Sequence, residues 1–223
     1  MHIVMTYIDI IKKWDQEFFL FLNGLHNGFF DGFMFAFSQK IVWVLFIISI
    51  IYVLIRFSKR NAVWLILALI LCVVLADQIA SGIIKDTVQR LRPSRDPSLS
   101  SLVHSVNGYT GGKYGFVSSH VANTFAFALL SSLLFRRMIY TVTVFLWAAV
   151  IAYSRIYLGV HYPLDILGGI FVGIIAALFC YWLLKRYKPA AIDNHFPDNQ
   201  VIIPVCAGGI TVLAIALYSM VIG

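Results

Sequence analysis

An all-α, polytopic membrane protein is the fold class this sequence predicts, and three observations carry the prediction. Of 223 residues, 61% are hydrophobic and 12% charged, with a mean hydropathy of +0.87, against roughly 45–50% apolar and about 25% charged for a soluble domain. The apolar residues gather into runs near the ~20 residues that a helix needs to cross a bilayer. The basic residues between those runs alternate in a way that gives the runs an orientation.

The elements follow in order. Residues 14–37 are rich in Phe and Leu but interrupted by Asn23, Gly24, His26, Asn27, Asp31 and Gly32, groups that hydrocarbon cannot satisfy. This pattern predicts an amphipathic helix-turn-helix lying at the membrane surface within an N-terminal segment 1–40, with a poorly formed seventh span as the alternative. The first 17 residues carry Asp9, Lys12, Lys13, Asp15 and Glu17 and lack the plan of a signal peptide, so they are expected to be retained. Six apolar runs, 41–57, 61–84, 120–135, 138–158, 162–184 and 201–222, then predict six transmembrane helices in one domain, 41–223. Cys72, Cys180 and Cys206 all fall inside these runs and form neither a disulfide framework nor a zinc-ligand spacing.

Loop charges set the topology. Arg56, Lys59, Arg60, Arg136, Arg137, Lys185, Arg186 and Lys188 fall on one side by alternate crossings, which the positive-inside rule makes cytoplasmic. The long 85–119 stretch and the 155–161 turn then face outward, yet they carry Lys85, Arg90, Arg92, Arg95, Lys113 and Arg155. Cations against the topological bias call for another reason. The formal charge of +7 is divided between the two faces and contains no nucleic-acid pattern.

Three clusters meet on the outer side. If the second span continues as a helix past the membrane, Lys85 and Arg92 are two turns apart on one face, and Pro93 stops the helix. Ser118 or Ser119 is a natural N-cap for the third span, presenting amides and the positive end of a helix to an anion, with His120 in the first turn. Pro163 suits the first turn of the fifth span, so His161 and Asp165 can share a face. Asp165 would then accept the Nδ1 proton of His161 and leave Nε2 free to attack.

Together these residues supply what phosphoryl transfer to a histidine requires. Lys85, Arg92 and Arg155, with the amides near Ser118 and Ser119, neutralise the phosphoryl oxygens. His161 attacks in line, and His120 protonates the leaving oxygen before activating a water. Fixed cations take the place of magnesium, and the outer loops offer only Asp86, Asp96 and Asp165 as carboxylates, so no metal and no cofactor is expected.

The pattern Lys85-x6-Arg92-Pro93, Ser118-x-His120, Ser154-Arg155-x5-His161-x3-Asp165 resembles the three-part signature of the type 2 phosphatidic acid phosphatase superfamily, which includes the vanadium haloperoxidases. The resemblance covers residues 85–165 and implies a six-helix core, His161 as nucleophile, Asp165 as its orienter and His120 as general acid. It implies Lys85, Arg92, Ser118, Ser119 and Arg155 as phosphate ligands. Relatives read Pro-Ser-Gly-His in the second part, where this chain has Val117-Ser118-Ser119-His120. Ser119 gives up easy access to positive φ and adds a hydroxyl within reach of phosphate.

Other residues fit blander roles. Asp77 suits a polar contact between helices better than catalysis. His26, His104 and His195 have no evident partner, and Arg90, Arg95 and Lys113 suit solvated loop charges, although a diphosphate would use them. A transporter is disfavoured because charges in the spans lie near one end and no repeat is visible. The expected partners are a lipid phosphate and the bilayer, with no nucleic acid and no particular oligomeric state. The expected activity is lipid phosphate hydrolysis at the periplasmic face of a bacterial inner membrane. Undecaprenyl diphosphate leads as substrate, and lipid A 1- or 4′-phosphate, phosphatidylglycerophosphate or transfer to a second lipid are the alternatives.

Overall fold

A computed structural model describes residues 7–193 and 196–222; His195 lies outside the described residues. The described chain is helical, and its one β-type pairing is an isolated bridge between Leu91 and Tyr114. Helices α1 (Tyr7–Asn23) and α2 (Gly28–Phe37) are joined by the short turn 24–27, followed by α3 (Val44–Ser58) and α4 (Ala62–Asp77), a π-helical stretch Gln78–Ile84 and the short α5 (Lys85–Val88). An irregular loop, 89–118, leads into α6 (Ser119–Phe135), α7 (Met138–Tyr157), α8 (Pro163–Tyr187), the short α9 (Pro189–Ile192) and α10 (Asp198–Ile222).

Four stretches are long and apolar enough to cross a membrane: Lys40–Val88, Met138–Tyr157, Pro163–Tyr187 and Asn199–Val221. The six separate spans expected from hydropathy are not obtained on length and composition. Two of them merge in the 49-residue Lys40–Val88 stretch, inside which α3 and α4 pack on each other across a break where Lys59 takes φ 47°. A third, α6, has 17 residues, at the lower end of the about 17–25 that a crossing helix uses.

The bundle centres on α6, which packs most extensively against α8 and then against α4 and α7. Small residues permit the approach. A Cβ at Gly169 would meet the Ser118 carbonyl at 2.6 Å, and one at Gly173 would meet the Ala122 carbonyl at 2.6 Å and the Ala126 nitrogen at 2.9 Å. This is the small-x3-small packing of membrane helices, and it seats the α8 N-terminus against that of α6. Gly173→Leu therefore forces backbone apart and is expected to cost about 3 kcal/mol, read as a lower midpoint of thermal unfolding in detergent. An unchanged midpoint would rule out this register of α6 on α8.

The polar interruptions of the N-terminal segment are satisfied by tertiary contacts. Asn27 caps α2, its Oδ1 accepting from the Phe30 amide at 3.0 Å. Asn23 is buried; its Nδ2 donates to the carbonyls of His104, Ile156 and Tyr157 at 3.0, 3.2 and 2.8 Å, and its Oδ1 accepts from the His104 amide. One side chain thus joins α1, the outer loop and the carbonyl end of α7, where helix carbonyls lack partners. Asp31 accepts from the Tyr157 hydroxyl at 2.6 Å and pairs with His104 Nε2 at 2.8 Å, while the His26 ring stacks on His104. His26 and His104 therefore have the partners that sequence reading did not find. Both helices pack onto the bundle, α1 against α7 and α8, α2 against α10 and α7.

Candidate active site

Each sequence cluster reaches the site by a different local device. Lys85 stands on α5, whose Nζ donates to Ser119 Oγ at 3.0 Å. The helix does not continue to Arg92, contrary to expectation. Gln89 turns left-handed at φ 49°, and the chain extends and pairs with 113–115 through Arg92 N–H to Lys113 O (3.3 Å) and Gly115 N–H to Arg90 O (2.8 Å). Arg92 arrives from this extended segment, its Nε donating to the Tyr114 carbonyl at 3.0 Å. Gly111, at φ +63°, closes the loop over its guanidinium, where a Cβ would lie 2.6 Å from Nη1; only glycine is suited to that position.

Ser118 occupies the N-cap of α6, but its hydroxyl makes no capping bond and is buried without a partner. Its amide donates to the Asp165 carbonyl at 2.9 Å, so that amide is not available to an anion as the sequence reading had it. His120 lines a cavity of about 240 Å³ together with Lys40, Trp43, Asn123 and Trp147. Asn123 in turn donates to Asp77 at 2.9 Å, giving Asp77 the interhelical contact expected of it.

His161 immediately precedes the α8 N-cap, Tyr162, and is 1% exposed. Its Nδ1 lies 3.3 Å from Asp165 Oδ2, the oxygen that also accepts from the Tyr162 amide at 3.0 Å. Complete burial, and then the fields of Arg92, Arg155 and Lys85, hold His161 far below the ordinary imidazole range. The ring is neutral, the state in which Nε2 has a lone pair to attack with. Burial and then Arg155 also lower Arg92, which registers the cost of grouping these cations in a dry site.

Charge pairing divides the outer cations into two sets. Arg90 bridges two carboxylates, Asp15 at 2.6 Å and Asp165 at 3.2 Å, and stacks 3.9 Å above the Tyr162 ring. Arg95 bonds to Thr110 Oγ1 and the Gly111 carbonyl, and Lys113 lies over the Tyr114 ring. Arg90 is thus an ion-paired residue rather than a solvated loop charge. By contrast, among the described residues no carboxylate pairs with Lys85, Arg92 or Arg155. Arg155 is 1% exposed, donates once to the Tyr109 hydroxyl at 3.0 Å, and has an unpartnered Nε. A buried cation without a counter-ion is costly, and an anion is the natural complement.

The sequence reading passes over Tyr109 and does not pair Asp15 with Arg90. A signal existed for Asp15, since an acidic group between Trp14 and Phe18 on an apolar helix face is expensive unless paired. None existed for Tyr109, whose contact is made across 46 residues.

The family model described as the PAP2 superfamily matches residues 61–189. A lipid A 4′-phosphatase of Bacteroides thetaiotaomicron is 34% identical over 96% of this chain and 99% of its own length, and one of Porphyromonas gingivalis is 38% identical over 84% and 82%. Among solved structures, Aquifex aeolicus LpxE superimposes with a TM-score of 0.56 at 27% identity, covering 74% of this chain and 93% of that one. Matched over more than half its length by the family model and nearly end to end by such relatives, the chain belongs to the PAP2 superfamily and is a membrane-embedded phosphatase of it.

Proposed function

We propose that the protein removes the 4′-phosphate of lipid A, or of a closely similar phosphoglycolipid, at the periplasmic face of a bacterial inner membrane through a phosphohistidine on His161. The observation that carries this reading is Arg155, a buried guanidinium with an unpartnered Nε and no carboxylate, beside two further cations whose fields reach the same histidine. A phosphate satisfies all three.

The reaction then runs in two displacements. His161 Nε2 bonds to phosphorus as the bond to the sugar oxygen breaks, and His120, entering the step as the imidazolium formed when the phosphate dianion binds beside it, gives that oxygen its proton and is left neutral. Asp165 holds the Nδ1 proton and stabilises the imidazolium. Lys85, Arg92 and Arg155, with the hydroxyls of Ser118 and Ser119, take up the charge on the phosphoryl oxygens in the transition state. Water, deprotonated by His120, next attacks phosphorus; the P–N bond breaks, and inorganic phosphate leaves.

In this reading α3, α4, α6, α7, α8 and α10 are six crossings, and α1 and α2 lie at the interface. The cytoplasmic basic residues set the site outward. The cavity that contains His120 shares Ile47, Val73 and Phe127 with an apolar trough of about 330 Å³ between α3 and α4, which gives an acyl chain a path into the bilayer.

Lipid A 4′-phosphate replaces undecaprenyl diphosphate as the leading substrate for two reasons. Two relatives matched at 34% and 38% identity over 99% and 82% of their own length carry the former name, whereas a putative undecaprenyl-diphosphatase from Escherichia coli matches over 63 residues, 28% of this chain. The surplus cations that had favoured a diphosphate, Arg90, Arg95 and Lys113, already have partners. Purified protein supplied with bisphosphorylated lipid A, undecaprenyl diphosphate, phosphatidylglycerophosphate and phosphatidic acid is expected to release phosphate fastest from lipid A, with mass spectrometry locating the loss at the 4′ position. Faster release from undecaprenyl diphosphate would reverse the assignment, and phosphate recovered on a second lipid would make the protein a transferase.

A further inference from the structure

Resting on the reading of His161 as nucleophile, we infer that Asp15 of the N-terminal helix and Arg90 of the outer loop are positioning residues that set the Asp165–His161 pair. The geometry is a closed chain of charge-assisted contacts. Asp165 is fully buried, with Oδ2 shared between His161 Nδ1 and the Tyr162 amide and Oδ1 held by Arg90 Nη1 at 3.2 Å. With one oxygen fixed by Arg90 and the other by a backbone amide, the carboxylate cannot turn about its χ2, and Oδ2 stays aimed at the imidazole.

Arg90 is held just as closely. Its second nitrogen, Nη2, donates to Asp15 Oδ2 at 2.6 Å, and its plane rests 3.9 Å above the Tyr162 ring. Asp15, 5% exposed, uses its other oxygen to accept from the Leu164 amide at 2.9 Å, in the first turn of the helix that carries Asp165. One carboxylate from residue 15 therefore both caps α8 and takes up half of the Arg90 fork.

The arrangement also balances charge. Asp165 must stay ionised in a buried site to orient His161, so it needs a cation. A cation given wholly to Asp165 would weaken its hold on the Nδ1 proton. Sharing Arg90 between two carboxylates leaves the trio with one net negative charge, facing Lys85, Arg92 and Arg155. Arg90 is thereby kept from the phosphate, and the docked α1 becomes part of the catalytic apparatus rather than an anchor alone.

The test is a double-mutant cycle on the full-length purified protein. Arg90→Gln and Asp15→Asn are each expected to lower kcat, by about 100-fold and about 10-fold respectively, the scale of a misoriented catalytic group, with KM changed less than about 3-fold. Arg90→Lys is expected to recover part of the Arg90→Gln loss. In an Asp165→Asn background, Arg90→Gln should cost less than about 3-fold more, because its effect passes through Asp165. Losses that multiply in the double variant would overturn the proposal, as would wild-type kcat in both single variants. A raised KM at unchanged kcat would make Arg90 a substrate ligand instead. If Arg90→Gln unfolds in detergent, Arg90→Lys and Asp15→Asn supply the same cycle. Full activity in His161→Ala would refute the nucleophile reading itself, separately from this one.

Discussion

Replacing His161 with alanine is expected to lower kcat by about 10⁴-fold or more, the scale seen when a covalent nucleophile is removed, while the protein still inserts and elutes as the wild type does. The residue is buried, but its removal deletes a neutral ring beside three cations rather than a member of the apolar core, so loss of activity and loss of fold separate. Acid-quenched reactions with radiolabelled substrate should trap an acid-labile, alkali-stable phosphoenzyme in the wild type and none in the variant. Activity near the wild-type level would remove His161 from the mechanism. The same burial and neighbouring cations have a consequence for pH. The free enzyme keeps His161 neutral well below 6.5, so lowering the pH through the ordinary imidazole range does not protonate the nucleophile. An NMR titration of labelled histidine should show the His161 imidazolium appearing only at lower pH than that of an exposed histidine.

Arg155→Met is the second large effect, and stability and activity should move in opposite directions. The wild-type side chain is a buried guanidinium with one neutral hydrogen bond and an orphan Nε. Exchanging a poorly compensated buried charge for an apolar chain of similar length is often neutral or stabilising, by about 1–4 kcal/mol. Catalysis should fall by about 10²–10³-fold, the loss of one preorganised donor to a charged transition state. Orthovanadate, which copies the five-coordinate phosphorus, should raise the unfolding midpoint of the wild type by linkage and leave that of Arg155→Met unmoved. A variant that is both less stable and still stabilised by vanadate would mean that Arg155 is structural.

How much of the site was legible depended on how far each contact reaches along the chain. His161 and Asp165 lie four residues apart at a helix start, so spacing alone brings them within bonding distance. Lys85 and Arg92 reach each other by a device other than the one expected. The sequence reading needed one helix to carry both, whereas a left-handed Gln89 ends the helix and a pairing with residues 113–115 returns Arg92 to the same place. Nothing local distinguishes Gln89 as the turning residue, since the partner strand that stabilises the turn is more than twenty residues away. Ser118 shows the converse. Its position as N-cap was plain, yet its amide is engaged by Asp165, an encounter set by the close packing of α8 on α6 at Gly169 and Gly173.

Composition and motif spacing suffice for the helical membrane class, the superfamily and the three signature clusters, because transfer of apolar surface from water and the chemistry of phosphate act through residue type and short-range periodicity. The break between the first two apolar runs is likewise legible in Arg56, Lys59 and Arg60, and the chain turns there at Lys59, φ 47°. Only tertiary packing could sort the loop cations, pairing Arg90 with Asp15 across 75 residues and leaving Lys85, Arg92 and Arg155 without carboxylates among the described residues. Coulomb interactions fall off with distance in space and take no account of separation along the chain, so which cation is neutralised by a carboxylate and which is not is decided by the fold.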